Sequence, residues 1–162
     1  MSPDTSQPIG SRAEFLDAVR HAFTLAEQGG AREIVLVDAD FAEWPLNEPA
    51  VIETLTRWID AHRVLTVFAH GFDELARRQI RFVEWRRQWA HAVRCRSDPD
   101  LEAGQVPTLL LVPGLCTLRL LDRIRFRGVA SNRPVDLTDA RERVDALLQR
   151  SVDAFPVTTL GL

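Results

Sequence analysis

The sequence predicts an α/β fold, a mixed parallel/antiparallel sheet flanked by helices. Three observations predict it. Glu33–Asp38 (EIVLVD) and Val64–Ala69 (VLTVFA) are short apolar runs rich in β-branched residues, and between them lies a stretch of helical period. Strand, helix and strand at this spacing form a βαβ unit, so these strands pair in parallel through a right-handed crossover. Further along, Thr108–Val112, Cys116–Leu121 and Ile124–Ala130 are strand-like runs separated by the turn signals Pro113-Gly114 and Asp122-Arg123. The second of these links is tight enough to make an antiparallel hairpin.

The elements follow in order. Residues 1–10 are polar and read as a disordered leader, with neither the basic start nor the apolar core of a signal peptide. Ser11 and Glu14 form a capping box, in which hydroxyl and carboxylate each satisfy an orphan backbone donor. Phe15, Leu16, Val19, Ala22, Phe23 and Ala26 then recur at helical spacing until Gly29-Gly30 stops the helix. After the first strand comes the loop Ala39–Glu48. Pro49 suits the first turn of a second helix that runs to about His62, with Val51, Ile52, Leu55, Trp58 and Ile59 on one stripe. His70-Gly71 closes the second strand, and Phe72–Ala90 reads as a third, basic helix. A strand near Ala92–Arg96, the polar loop Ser97–Gln105 and the three later strands follow. The last helix starts near Thr138 or Asp139, with Glu142 completing a capping box, and Pro156 ends it. A single domain over residues 11–156 is expected, with residues 157–162 as a tail.

The bulk numbers narrow the function. A chain of 162 residues that is 46% hydrophobic and 27% charged has the profile of an ordinary globular domain. A net charge of −3 gives no general case for nucleic acid or an anionic membrane. No apolar run approaches the roughly 20 residues that cross a bilayer, so a cytoplasmic protein is expected. All 20 basic residues are arginine, so no side-chain amine exists for a Schiff base, a phosphate-loop lysine or a lysine base. Cys95 and Cys116 sit within strands rather than in a spaced cluster, and read as buried thiols rather than a disulfide or metal site. Nucleophile elbow, Gly-rich phosphate loop, dinucleotide fingerprint and zinc spacing are all missing, and no cofactor is implied.

Two constellations could carry chemistry. Asp38-Ala39-Asp40 follows a buried strand, where paired carboxylates can hold a divalent cation and one can attack phosphorus. The pair resembles the first motif of haloacid dehalogenase-like phosphatases, which place Thr or Val where Ala42 stands and need a lysine that this chain lacks. His70 follows the second parallel strand and should emerge on the same sheet edge, where it could do acid–base work or simply cap a turn. This edge supports one expectation, a metal-dependent phosphohydrolase or phosphotransferase using Asp38, Asp40 and His70.

The second constellation is arginine. Arg94 and Arg96 alternate with Val93 and Cys95, Arg119 with Leu118 and Leu120, and Arg125 and Arg127 with Ile124, Phe126 and Gly128. In strands, such alternation puts the guanidinium groups on one face. That face would suit a phosphate or carboxylate, or would be a solvated, salt-bridged surface. Trp85 and Trp89 on the third helix read as core anchors rather than a stacking platform.

The hairpin carries a family resemblance. Asp122 is followed by Gly128-Val129-Ala130-Ser131-Asn132, and the element order with a hairpin and a small polar turn resembles one half of a phospholipase D-like domain. Active members of that superfamily carry H-x-K-x4-D followed by G-S-x-N. Here Leu115 stands at the His position and Thr117 at the Lys position, while Asp122 and Asn132 match. The glycine comes one residue early. The wider pattern, from Arg12-x-x-Phe15 through Arg77-Arg78 to the last helix, is similar to a bacterial domain family of degenerate phospholipase D-like proteins. The resemblance implies a half-domain topology without the superfamily's phosphohistidine route, and a homodimer by analogy. The expected function is therefore non-catalytic binding of an anionic ligand or protein partner through Arg94, Arg96, Arg119, Arg125, Arg127 and Asn132.

Overall fold

β2 (Glu33–Asp38) and β3 (Val64–Ala69) pair in parallel over their whole length, with Glu33 opposite Val64 and Asp38 opposite Ala69. Both are apolar at nearly every position because helices cover this part of the sheet on two sides. The structure is a computed structural model in which residues 4–157 are described. β4 (Val93–Ser97) pairs in parallel with β3, and β5 (Thr108–Val112) pairs antiparallel with β2. β6 (Cys116–Asp122) and β7 (Arg127–Ser131) continue antiparallel from β5. Short strands close both edges: β1 (Ser6–Ile9) beside β7, and β8 (Val152–Asp153) beside β4. The order across the sheet is β1-β7-β6-β5-β2-β3-β4-β8, a mixed sheet as expected.

Strand alternation divides the core. Ile34, Leu36, Leu65, Val67, Val93, Cys95, Leu110 and Leu118 face the larger cluster, which also holds Phe15 and Phe23 of α1 (Arg12–Gln28) and Leu55 and Trp58 of α2 (Pro49–Trp58). Val35, Val37, Phe68, Leu109 and Leu111 face the other way, against Ala140 and Val144 of α5 (Pro134–Gln149). α5 leaves the end of β7 and delivers the chain to β8, so it crosses the strands. Its 16 residues span about 24 Å at 1.5 Å per residue, most of the roughly 29 Å that six inter-strand gaps of about 4.8 Å require, and the residues flanking the helix cover the rest.

Several boundaries differ from the sequence expectation, each for a local reason. Residues 6–9, expected within a disordered leader, form an edge strand because β7 offers a free ladder and Asn132 ties down Thr5. Residues 1–3 of that leader and residues 158–162 of the expected tail lie outside the described residues. α2 stops at Trp58 rather than near His62, where the Arg63 guanidinium caps the Trp58 carbonyl. The expected third helix is two, α3 (Asp73–Arg78) and α4 (Ile80–Gln88), broken at Gln79. Gln79 is buried, and its side-chain amide donates to the carbonyls of Phe41 (2.9 Å) and Trp44 (2.7 Å). That anchor holds its backbone off the helical region at φ −112, ψ 52.

β7 begins at Arg127 rather than Ile124. The Asp122 carboxylate accepts from the N–H groups of Ile124 (3.0 Å) and Arg125 (3.1 Å), and Phe126 takes φ 54, so residues 123–126 form the turn. α5 begins at Pro134 rather than Thr138 or Asp139. Proline fits its first turn, and Asp136 accepts a hydrogen bond from the Ser131 hydroxyl just before the helix. The same helix ends at Gln149, which frees Val152 and Asp153 to pair as β8.

Both thiols are buried and free. Burial pushes Cys95 up to about 11, with the Arg86 charge pulling the other way, and pushes Cys116 up to about 12. At pH 8 both are therefore protonated and shielded. We expect a thiol reagent such as a disulfide dye to label neither in the native protein and both on unfolding in urea. Labelling of Cys95 at the rate of an exposed thiol would contradict its placement against α4.

Candidate functional site

The C-terminal ends of β2 and β3 form the edge at which acid–base chemistry was expected. The Asp38 carboxylate is buried there and fully occupied by structure. One oxygen accepts from the N–H groups of Phe41 (2.9 Å) and Asp40 (3.4 Å), and the other accepts from the Thr108 hydroxyl of β5. Arg123 approaches that second oxygen at 3.9 Å. These bonds hold the loop after β2, where Phe41 sits at φ 59 beneath its own carbonyl's bond to Gln79. Asp40 is exposed, and its carboxylate accepts from the Ala42 N–H at 3.0 Å.

His70 emerges on the same edge. Its backbone N–H donates to the Ala39 carbonyl at 3.0 Å, and its ring makes no hydrogen bond among the described residues. Asp40 and His70 border a pocket of about 150 Å³ together with Asp73 and Glu74, while Asp38 does not line it. Glu74 is engaged by Arg77 and Arg78, which hold its carboxyl below the usual range, the Arg77 hydrogen bond being the main cause. Among the described residues no group of three or more acidic, His or Cys side chains could hold a metal. The structure thus brings Asp40 and His70 to one shallow depression and turns Asp38 into a loop anchor.

The hairpin positions carry no chemical group free to react. Thr117, at the position where the resemblance requires lysine, is buried and donates its hydroxyl to the Leu110 carbonyl at 2.8 Å. Leu115 precedes β6 in the turn after β5 and packs with the larger core cluster. Thr117 pairs with Ser131, so Leu115, Thr117 and Asn132 share one end of the hairpin, while Asp122 stands at the other, opposite Arg127. The Asn132 side-chain oxygen accepts from the Thr5 N–H, and the Asn132 N–H donates to the Thr5 carbonyl at 3.0 Å. We expect Asn132→Ala to cost about 1 kcal/mol and to speed amide exchange of β1 selectively. Unchanged exchange at Gln7 and Ile9 would refute that anchoring role.

The arginines divide into two groups. Arg94, Arg96 and Arg119 project from the sheet face that carries α5, as the pairings of Arg94 with Thr66, Arg96 with Phe68 and Arg119 with Leu109 require. β3, β2 and β5 separate β4 from β6, a gap of about 19 Å at 4.8 Å per strand. Arg96 is engaged by Ser151 and Asp153, Arg119 by Asp139, and Arg125 by Asp122 within the turn. Arg94 and Arg127 are exposed and make no ion pair among the described residues.

One charged group escaped the sequence reading. Arg86 of α4 is only 7% exposed, its Nε has no hydrogen-bond partner, and no ion pair reaches it among the described residues. Its guanidinium lies 4.9 Å from the centroid of the Phe155 ring. A cation–π contact is worth about 0.5–2 kcal/mol, less than the several kcal/mol that an unpaired buried charge costs. Its spacing held the signal: Arg86 stands four residues after Phe82, on the buried stripe of α4.

Comparisons bear on the fold alone. No family model matches the chain, and no curated protein matches it. Among solved structures, it is similar to TrmBL2, an archaeal chromatin protein described as showing a novel mode of DNA binding, with TM-score 0.63 and 11% identity over 92% of this chain and 54% of that one. NucT from Helicobacter pylori gives TM-score 0.59 and 9% identity over 94% of this chain and 100% of that one. Nuc from Salmonella typhimurium, a phospholipase D family member, gives TM-score 0.57 and 12% identity over 95% of this chain and 100% of that one. The chain thus spans about half of the archaeal protein and the full length of the other two. The expected phospholipase D-like fold is present.

Proposed function

We propose that this chain is a phospholipase D-like domain that has lost the phosphohistidine chemistry and acts by binding. The observation that carries the reading is the pair Leu115 and Thr117, a half-buried leucine packed against the core and a buried hydroxyl already bonded to a backbone carbonyl. Neither can attack or bind a phosphodiester. Asn132, which matches the superfamily's phosphate-binding residue by position, is engaged with Thr5. The edge formed by Asp38, Asp40 and His70 offers no paired carboxylates for a metal, because Asp38 is spent on Phe41, Asp40 and Thr108.

The binding surface in this reading is the arginine-bearing face. Arg94 and Arg127 are its available charges, since Arg96, Arg119 and Arg125 are already paired. The strand order puts them about 24 Å apart, too far for one small anion to bridge. A partner protein with an acidic surface can span that distance. A DNA duplex could as well, and the archaeal neighbour is described as binding DNA, but the net charge of −3 gives no general field to attract it. A second copy of this chain is the simplest protein partner by analogy with paired half-domains. The remaining residues of the surface, Arg96, Arg119, Arg125 and Asn132, support the face rather than contact the partner.

Two measurements test the reading. Hydrolysis of bis(p-nitrophenyl) phosphate should equal the protein-free background, and turnover abolished by Asn132→Ala would sink the non-catalytic assignment. Polyglutamate should bind in a salt-sensitive way that Arg94→Glu and Arg127→Glu each weaken, with duplex DNA weaker than polyglutamate. Binding indifferent to both substitutions would remove the arginine face from the proposal.

A further inference from the structure

The pocket between α4 and residues 155–157 holds a charge, Arg86, that makes no ion pair among the described residues. Its volume is about 310 Å³, within the range of small-molecule sites. Ile80, Val83, Phe155 and Pro156 give it apolar walls, and Arg86 lies among them. We propose that this pocket binds an organic anion, a carboxylate or phosphate carried on an apolar group, with the Arg86 guanidinium as its charge partner.

Burial excludes the ordinary alternative. An arginine at 7% exposure has little contact with water, and its Nε has none of the hydrogen bonds that a buried N–H requires. The Arg86 guanidinium carbon lies over the Phe155 ring, 4.9 Å from its centroid, and Phe155 is itself stacked on Phe72 at 5.1 Å with an interplanar angle of 6°. The Arg86 side chain makes no hydrogen bond among the described residues, which leaves its N–H fork, the shape that matches a carboxylate or phosphate, unused. Phe155 is held at φ 49, a left-handed conformation that non-glycine residues rarely adopt. In this conformation the ring lies over the cation. Glu84 and Arg87 also line the pocket and both are exposed, so its charge with Arg86 is one positive in excess. Ile80, 53% exposed, is the apolar surface that a ligand's chain would cover.

This site lies on the helix-rich face, opposite Arg94 and Arg119, and stands or falls independently of the binding function proposed above. The probes are octanoate, octyl phosphate and octanol, titrated by calorimetry. Both anions should bind saturably at one per chain, and octanol at least tenfold more weakly; the tighter of the two anions identifies the headgroup. Arg86→Met should lower anion affinity at least tenfold while raising the Tm of the ligand-free protein, because it removes an unpaired buried charge. Arg94→Glu should leave octanoate binding unchanged. Octanol binding as tightly as octanoate, or undiminished octanoate binding by Arg86→Met, would overturn the proposal. Should that variant not fold, the wild-type protein decides by NMR: octanoate must shift the Arg86 side-chain Nε–H and the amides of Ile80 and Phe155, and shifts confined elsewhere overturn it.

Discussion

Gly128→Ala is expected to be among the most damaging single-methyl changes in the chain, lowering stability by about 3 kcal/mol or more in urea denaturation. An added Cβ at Gly128 would lie 1.9 Å from the carbonyl oxygen of Arg119 and 2.8 Å from both the Arg119 carbonyl carbon and the Leu120 Cα. All three are backbone atoms, so no rotamer change relieves the clash. Gly128 pairs with Leu120 on one side and Ile9 on the other, and the β6–β7 register shifts between Leu120 and Asp122. Separating β6 from β7 there would disturb three strands at once. The same reasoning gives this glycine a purely steric role, although it stands near the glycine of the phospholipase D motif. A stability loss under about 1 kcal/mol would mean that the strands yield at low cost, and the close approach would then not be what selects glycine.

Asp38→Ala is expected to cost about 3 kcal/mol. It would orphan the Phe41 N–H and the Thr108 hydroxyl, both buried, and leave Arg123 without its nearest carboxylate. Because these bonds join the loop after β2 to β5, the loss should appear as a lower urea midpoint and faster proteolysis within residues 39–48. Asp40→Ala, at an exposed carboxylate whose described hydrogen bond goes to Ala42, should cost well under 1 kcal/mol. Equal effects from the two substitutions would erase the distinction between anchor and surface residue. A phosphatase activity lost on Asp38→Ala without loss of stability would revive the metal-dependent alternative.

The parts that could be read from the residues are those fixed by strong local patterns. The two apolar strand runs, the Ser11 cap of α1 and the strands β5 and β6 rest on periodicity and turn chemistry that tertiary structure did not override, whereas the Glu14 carboxylate accepts from the Gly10 N–H rather than from that of Ser11. β1 was invisible because SQPI is short, polar and contains proline; it becomes a strand only beside β7. The break at Gln79 was equally hidden, since neither Gly nor Pro marks it and its cause is a pair of carbonyls 35 and 38 residues away. Proline at position 134 marks the start of α5, and the capping-box pattern around Asp139 lies inside the helix. For the site, alternation placed Arg94, Arg96 and Arg119 on the same face, whereas lateral distance depends on strand order. Arg125 alternates with apolar residues as in a strand yet stands in a turn, because Asp122 captures the N–H groups of Ile124 and Arg125.

The position of β1 constrains how the molecule assembles. Ser6–Ile9 has no ladder until Arg127–Ser131 has formed, so its contacts span more than a hundred intervening residues. Loop-closure entropy makes such a contact late, and during synthesis this segment would stay unpaired until β7 has emerged. The parallel centre built from β2 and β3 can collapse on its own helices long before that. The N-terminal strand then acts as a latch on a sheet already formed, and its amides should be the first among the strands to exchange.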